Sequence, residues 1–318
     1  MLEALLGGVV KKTNLVKLPG VIPVTASFIS SAAPVGVTSA LIGNEFYLMP
    51  FNKNALSNQV YKLNTTNMTL TTHGGGTSNG TCSVIYPFKG RVGYRSLNGG
   101  NASYRVMNAD GSMSINGGLT SMICIGTYPV YGEPLIVGNG SGFYGINITI
   151  SSTSGTQGYV TRYTFSGSTF DASATFVSTA GMAPGGPPLG LYSWLYGDRY
   201  VYTVFGDGTF TRYDATTNTF SKLTKMPAPF LSQTNTSMGM RSAVIGTKLY
   251  LYTNFDHTVW CYDISKSTWT AEIVLTDLNG YKSMANIMNG PDGKLIIHPG
   301  TDSNYNYSTD LFVYTPAA

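Results

Sequence analysis

The sequence predicts an all-β chain, and three observations carry that expectation. Strand and turn formers dominate: 38 Gly, 22 Tyr and abundant Thr, Ser and Asn accompany only 11% charged residues, against roughly 25% in ordinary globular domains. A ten-residue segment recurs without gaps far along the chain, and a tyrosine followed by a turn recurs after each copy of it. Together these predict a single β-propeller of six four-stranded blades, with seven as the alternative count, in which an N-terminal strand completes the C-terminal blade.

The bulk properties permit this and narrow the partners. A length of 318 residues suits one closed all-β architecture as well as two average domains. Hydrophobic residues at 42% and aromatics at 12% supply enough apolar surface to offset chain entropy. The formal charge of +4 comes from scattered Lys and Arg; nucleic-acid binding requires a basic stripe that displaces counterions, so no nucleic-acid partner is expected. Cys82, Cys124 and Cys261 are odd in number and far apart, which reads as free thiols in the core. No stretch approaches the roughly 18 apolar residues of a membrane span. Met1 to Val10 is mildly apolar, but Lys11 and Lys12 follow it instead of preceding it, the wrong order for a secretory signal. Residues 1–12 are therefore expected to be a tail or anchor, and 13–318 the propeller.

The recurring segment is Ser39-Ala40-Leu41-Ile42-Gly43-Asn44-Glu45-Phe46-Tyr47-Leu48, matched by Ser242-Ala243-Val244-Ile245-Gly246-Thr247-Lys248-Leu249-Tyr250-Leu251. From residue 39 to residue 242 the offset is 203, about four units of ~51 residues, a blade-sized period. Each copy is an apolar strand, a turn at glycine, then a second strand. Weaker copies place the same turn at Gly90, Gly132, Gly197 and Gly293. The long interval between Gly132 and Gly197 calls for an insertion, and the Gly/Ser/Thr-rich stretch from Gly138 to Gly158 is expected to be that loop.

A second landmark follows: Tyr61, Tyr104, Tyr163, Tyr213, Tyr262 and Tyr314 each sit near the end of a strand ahead of a turn. In the best copies, Asp214 to Phe220 and Asp263 to Trp269, the acid is expected to cap the turn through its own backbone and the aromatic to pack between neighbouring sheets. Phe220-Ser221-Lys222-Leu223-Thr224-Lys225-Met226-Pro227, then Arg241 to Leu251, then Tyr262-Asp263 and Trp269 follow the order of kelch repeats over roughly 50 residues. The chain resembles that family of propeller blades, although the family's Gly-Gly doublet after the second strand is replaced by Pro50-Phe51 or Thr253-Asn254. A propeller must also protect its two end sheets. Leu311-Phe312-Val313-Tyr314 leaves the last blade one strand short, and Asn14-Leu15-Val16-Lys17-Leu18-Pro19 resembles the outer strand at Phe220 to Pro227, so the N-terminal strand is expected to close the ring.

Chemistry-bearing residues are sparse. His73, His257 and His298 fall in different blades, and Glu occurs only at positions 3, 45, 133 and 272, so no metal site, cofactor or catalytic set is expected and the protein reads as non-enzymatic. Asn108 to Ser112, Phe205 to Thr209 and Pro291 to Lys294 resemble fragments of sialidase Asp-boxes, but Asp-Gly is itself a favoured hairpin turn. Gly74-Gly75-Gly76 is followed by Thr77 and Ser78, not by the Lys and helix of a phosphate loop. Recognition remains. The connections after the second strand of each blade fall on one face: Asn52 to Gln59, Gly138 to Gly158 with Phe143 and Tyr144, Asn254 to His257 with Phe255, and Thr301 to Ser308 with Tyr305 and Tyr307. Aromatic faces beside amides suit sugars or a flat protein partner, which makes Phe143, Tyr144, Phe255, His257, Tyr305 and Tyr307 the candidate binding residues.

Low charge, a Gly/Ser/Thr/Asn/Tyr-rich composition and a repeated all-β chain together resemble bacteriophage tail, baseplate and fibre proteins. That resemblance implies a virion structural protein, made in the host cytoplasm, whose partners are other virion proteins and a glycan or protein of the host surface, with Leu2, Leu5 and Leu6 anchoring it. A cytoplasmic kelch-like interaction module and a propeller carbohydrate-active enzyme are the alternatives.

Overall fold

Hairpins account for nearly all of the described chain. The computed structural model describes residues 14–22, 35–52, 57–64, 67, 69–77, 81–88, 90–98, 101–107, 111–112, 135–136, 142–151, 155–166, 169–171, 177–178, 191–228, 242–253, 256–276, 278, 285–300, 302 and 308–317. After β1 (Leu15–Leu18) comes a first sheet of β2 (Val35–Ile42), β3 (Glu45–Asn52), β4 (Ser57–Asn64) and β5 (Thr69–Thr77). The second holds β6 (Thr81–Phe88), β7 (Arg91–Asn98) and β8 (Asn101–Val106). The third holds β9 (Leu135–Ile136), β10 (Gly142–Ser151), β11 (Gly155–Ser166) and β12 (Thr169–Asp171), with β13 (Val177–Ser178) also paired to β11. The fourth is β14 (Leu191–Tyr196), β15 (Tyr200–Phe205), β16 (Phe210–Asp214) and β17 (Thr219–Lys222). The fifth is β18 (Ala243–Ile245), β19 (Lys248–Thr253), β20 (Thr258–Asp263) and β21 (Thr268–Val274). The last consists of β22 (Asn286–Asn289), β23 (Leu295–His298), β24 (Leu311–Tyr314) and, from the other end of the chain, β1.

Four glycines that the repeat aligned, Gly43, Gly90, Gly197 and Gly246, turn from the first strand of a sheet to the second with φ of 59°, 73°, 58° and 57°. Gly293, with φ 69°, does the same after a short 3-10 turn. This left-handed backbone is what the spacing of the glycines encoded. Tyr213, Tyr262 and Tyr314 fall at or next to strand ends as expected, with Tyr213 opposite Phe220 and Tyr262 opposite Trp269, whereas Tyr61, Tyr104 and Tyr163 lie two or three residues inside their strands.

The apolar core lies between sheets rather than within one. Tyr250, Tyr252, Cys261 and Ile273 of the fifth sheet pack with Ile287, Ile297, Phe312 and Tyr314 of the last. Ile296, Leu311 and Val313 of the last pack with Val37, Phe46 and Leu48 of the first, and Tyr47, Met49 and Val60 of the first with Ile85, Val92 and Tyr94 of the second. Strands covered on both faces have no polar side to show, which explains runs such as Phe46 to Met49 and Leu249 to Tyr252. Neighbouring sheets also touch through their first strands: β2 lies against β6, β6 against β9, β9 against β14, β14 against β18, β18 against β22, and β22 against β2. Polar side chains bridge several of these contacts and satisfy the edge backbone. The Ile85 amide donates to Thr38 Oγ1 (2.9 Å), Asn286 Nδ2 to the Val37 carbonyl (2.7 Å), the Val244 amide to Asn289 Oδ1 (2.8 Å), and Ser242 Oγ to the Ser193 carbonyl.

β1 runs antiparallel to β24 with Leu15 opposite Tyr314 and Leu18 opposite Leu311, so the N-terminal strand does complete the C-terminal sheet. Leu2, Leu5 and Leu6, expected to anchor, lie outside the described residues.

Four expectations are corrected. The stretch from Gly138 to Gly158 is not an inserted loop: β10 and β11 pair from Gly142 opposite Thr164 to Ser151 opposite Gly155, forming the long central hairpin of the third sheet. Alternating Phe143-Tyr144 and Ile146, Ile148, Ile150 already carry a strand pattern that the glycines and serines obscured. Accordingly Leu135-Ile136 pairs with the start of β10 as the first strand of that sheet among the described residues, and not the second. The uniform four-strand count also fails among the described residues, since the second sheet has three strands and β13 adds a fifth to the third. The connection expected from Asn52 to Gln59 shrinks to 53–56, because Ser57 already belongs to β4.

The triple glycine has a structural use. Gly74, Gly75 and Gly76 lie in β5, where the Gly75 amide donates to the Gly111 carbonyl (3.1 Å) and Gly75 bridges Ser112 in parallel. A Cβ at Gly74 would collide with that carbonyl. The chain leaving the second sheet thus crosses against the outer strand of the first, at a distance only glycine allows.

Candidate recognition face

In the fourth, fifth and last sheets the connections after the second strand are 206–209, 254–257 and 299–310, all at the end of the sheets opposite the glycine turns. The first is a tight turn held by Asp207, whose carboxylate accepts from the Thr209 amide and hydroxyl, both at 2.8 Å. The second is built similarly. Asp256 Oδ1 accepts from the Thr253 hydroxyl and from the Thr258 amide (3.2 Å), and this caps the turn and leaves His257 in a left-handed conformation with φ 53°. Asx-capped turns of this kind explain the acids without invoking catalysis.

His257 is the candidate binding residue whose surroundings the structure describes. Its Nδ1 lies 3.0 Å from the Tyr252 hydroxyl and its ring stacks over Tyr252 at 26°. Burial pushes the Tyr252 hydroxyl far above its ordinary value, so that group keeps its proton. Burial also lowers the pKa of His257, with Asp256 opposing, so the imidazole is neutral near neutral pH. The turn therefore presents a half-buried neutral imidazole on an aromatic platform. Phe143 and Tyr144 occupy strand β10 rather than a loop, and their side chains, like the whole of Phe255, Tyr305 and Tyr307, lie outside the described residues.

The other histidines serve different ends. His298, fully buried at the end of β23, donates from Nε2 to the Ser308 carbonyl (2.9 Å) and so pins the loop that leads to β24. Burial lowers its pKa to about 4. His73 packs edge-on to Tyr47 at 4.7 Å, beside the Lys62–Glu45 ion pair. The three lie in the first, fifth and last sheets, and among the described residues no three metal-binding side chains come together. The Cys261 thiol is buried between Tyr250 and Glu272, and burial pushes it up to about 12, so it stays protonated.

Sequence reasoning missed two features. Tyr192 Oη and Trp194 Nε1 reach from β14 to the Tyr252 and Tyr250 carbonyls of the next sheet and so tie β19 to the fourth sheet. At the opposite end, the segment from Tyr196 to Tyr200 was legible only as a turn, yet Arg199 and, from β16, Arg212 both come over the Tyr200 ring, at 4.7 and 5.0 Å from its centre. The signal was alternation: Tyr200, Tyr202 and Arg212 share one face because Tyr202 pairs with Arg212. No protein-family model matches this sequence, and no curated protein matches it either.

Proposed function

We propose that the six sheets are the blades of one closed kelch-like β-propeller, and that this ring is a non-enzymatic structural protein of a phage particle. It is mounted on the tail or another particle surface, where it packs against other virion proteins and contacts the host surface. The ring reading is supported by the cyclic order of first-strand neighbours, which runs through every sheet and returns from β22 to β2. It is supported further by β1, which supplies from the N-terminus the outer strand that the last sheet lacks. Closure of this kind removes the end sheets' vulnerability to edge pairing.

The observation that carries the particle assignment is compositional: a wholly β chain with 11% charged residues and abundant Gly, Tyr, Ser, Thr and Asn. Such a chain binds neighbours through shape, aromatics and amides rather than through charge. Mass spectrometry of purified particles tests it. The chain is expected among the virion proteins, and its absence from particles that carry all their other components removes the reading. A cytoplasmic interaction module is the second reading, favoured by the kelch order from Phe220 to Trp269; recovery of the chain only in the soluble cell fraction supports it instead.

A further inference from the structure

Where the fourth and fifth sheets meet at their glycine-turn end, charge and hydrogen bonding are left incomplete. Tyr196, Tyr200 and Tyr202 form a connected aromatic group, with ring centres 6.5 Å apart and Tyr196 edge-on to Tyr202 at 79°. Tyr202 also faces Tyr262 of the fifth sheet at 6.5 Å. Tyr196 and Tyr200 are half-buried, as is Arg212. Two guanidiniums lie over Tyr200, and Asp214 is engaged by one of them: it accepts from Arg199 at 2.8 and 2.6 Å and from the Thr216 amide at 2.9 Å. Arg212 bonds the Tyr202 hydroxyl and takes part in no ion pair among the described residues, and its Nε is buried without a hydrogen-bond partner. Stacking on Tyr200 and the bond to Tyr202 hold the half-buried guanidinium in place but leave its charge without an anionic partner among the described residues.

We propose that this rim binds an acidic saccharide, with Arg212 taking the sugar carboxylate and the Tyr196 and Tyr200 rings packing against the sugar's apolar face. A planar guanidinium matches a carboxylate in a two-pronged geometry, and tyrosines offer both a flat apolar surface and a hydroxyl to a ring bearing hydroxyls. The site lies at the end of the sheets opposite His257, so it is distinct from the recognition face described above. It deepens the host-surface half of the proposed function, because acidic polysaccharides coat cell surfaces.

The test uses the isolated full chain titrated calorimetrically with a trigalacturonate, with its carboxyl-reduced neutral counterpart, with inorganic phosphate and with an acidic peptide. Saturable binding of the trigalacturonate is expected, weakened at least about tenfold by carboxyl reduction and by Arg212→Gln, and only severalfold by Arg212→Lys, which keeps the charge without the fork. Tyr196→Ala, on a half-buried side chain, is expected to weaken binding with the unfolding midpoint held, and it carries the test if Arg212→Gln does not fold. Equal binding by the neutral sugar or by Arg212→Gln, equally tight phosphate or peptide, or no saturable binding at millimolar sugar each overturns the proposal. Because the measurement involves no particle, its failure leaves the virion assignment standing, and absence from particles leaves this site standing.

Discussion

The fifth sheet and the last share one apolar core yet hold their outer strands by different means. In the fifth, β21 follows β20 through a four-residue turn, and Asp263 fixes that turn by accepting from the Ser265 amide (2.9 Å), the Ser265 hydroxyl (2.6 Å) and the Lys266 amide (3.3 Å). In the last, the outer strand β1 comes from the far end of the chain, with no turn to aim it. Explicit contacts replace the turn. Asp310 bonds Lys17 Nζ and the Gly20 amide, both at 2.9 Å, the Ile22 amide donates to the Thr309 carbonyl, and the Thr315 amide to the Asn14 carbonyl. A hairpin closes a loop of a few residues, whereas joining the chain ends closes one of about 300 residues, at an entropic cost that is higher though it grows only with the logarithm of length. The last sheet is consequently where the fold is expected to yield first.

Removing residues 1–20 breaks the comparison most severely. It deletes four strand pairs and uncovers Leu311 and Val313, which Leu18 helps to bury. The loss should reach at least about 4 kcal/mol, since one fully buried leucine alone contributes roughly 2. A lowered melting temperature with increased aggregation is expected; an unchanged melting temperature contradicts closure by β1.

His298 sharpens it next. Its folded pKa of about 4 lies below the ordinary histidine value of roughly 6.5, so the unfolded chain binds the extra proton first. This contribution to stability is complete above about pH 6.5, is lost as the pH falls towards about 4, and changes no further below that; it amounts to of order 3 kcal/mol. The charged groups in its vicinity are Asp310, which favours the protonated form, and Lys17, bonded to Asp310. Urea midpoints at pH 7 and pH 4.5 should differ more for the wild type than for His298→Gln. Equal differences in midpoint for the two proteins would show that the imidazole is not what senses acid.

How far the sequence reached follows from what each feature depends on. The glycine turns, the tyrosine landmarks and the β1–β24 pairing were legible, because each is a local pattern whose period survives in the residues themselves. The third sheet was not, since Gly and Ser in β10 and β11 dilute the alternation that Ile146, Ile148 and Ile150 carry. Nor was the use of Gly74, which depends on a backbone crossing from Gly111. Of the candidate site only the turn at His257 was legible, as a position; its Tyr252 partner and the Arg212–Tyr200 stack arise from cross-strand register, which no run of residues announces.

Asp310 and Asp263 give the finest comparison. Burial raises Asp310, but the Lys17 ammonium and the Gly20 amide outweigh it and hold the carboxyl below its ordinary value. Hydrogen bonds from the Ser265 side chain, then from Lys266, hold Asp263 down at about 2. Both carboxylates therefore stabilise the fold above the ordinary carboxylate range, and the contribution disappears as pH falls through the depressed value. Asp310→Ala should cost about 0.5–1.5 kcal/mol, because it removes an exposed ion pair and a backbone hydrogen bond at a junction with no turn to hold it. Asp263→Ala should cost less, because the four-residue connection still delivers β21 to β20. A larger loss at Asp263 than at Asp310, read from urea midpoints at pH 7, would mean that the turn, and not the joined chain ends, limits the stability of the ring.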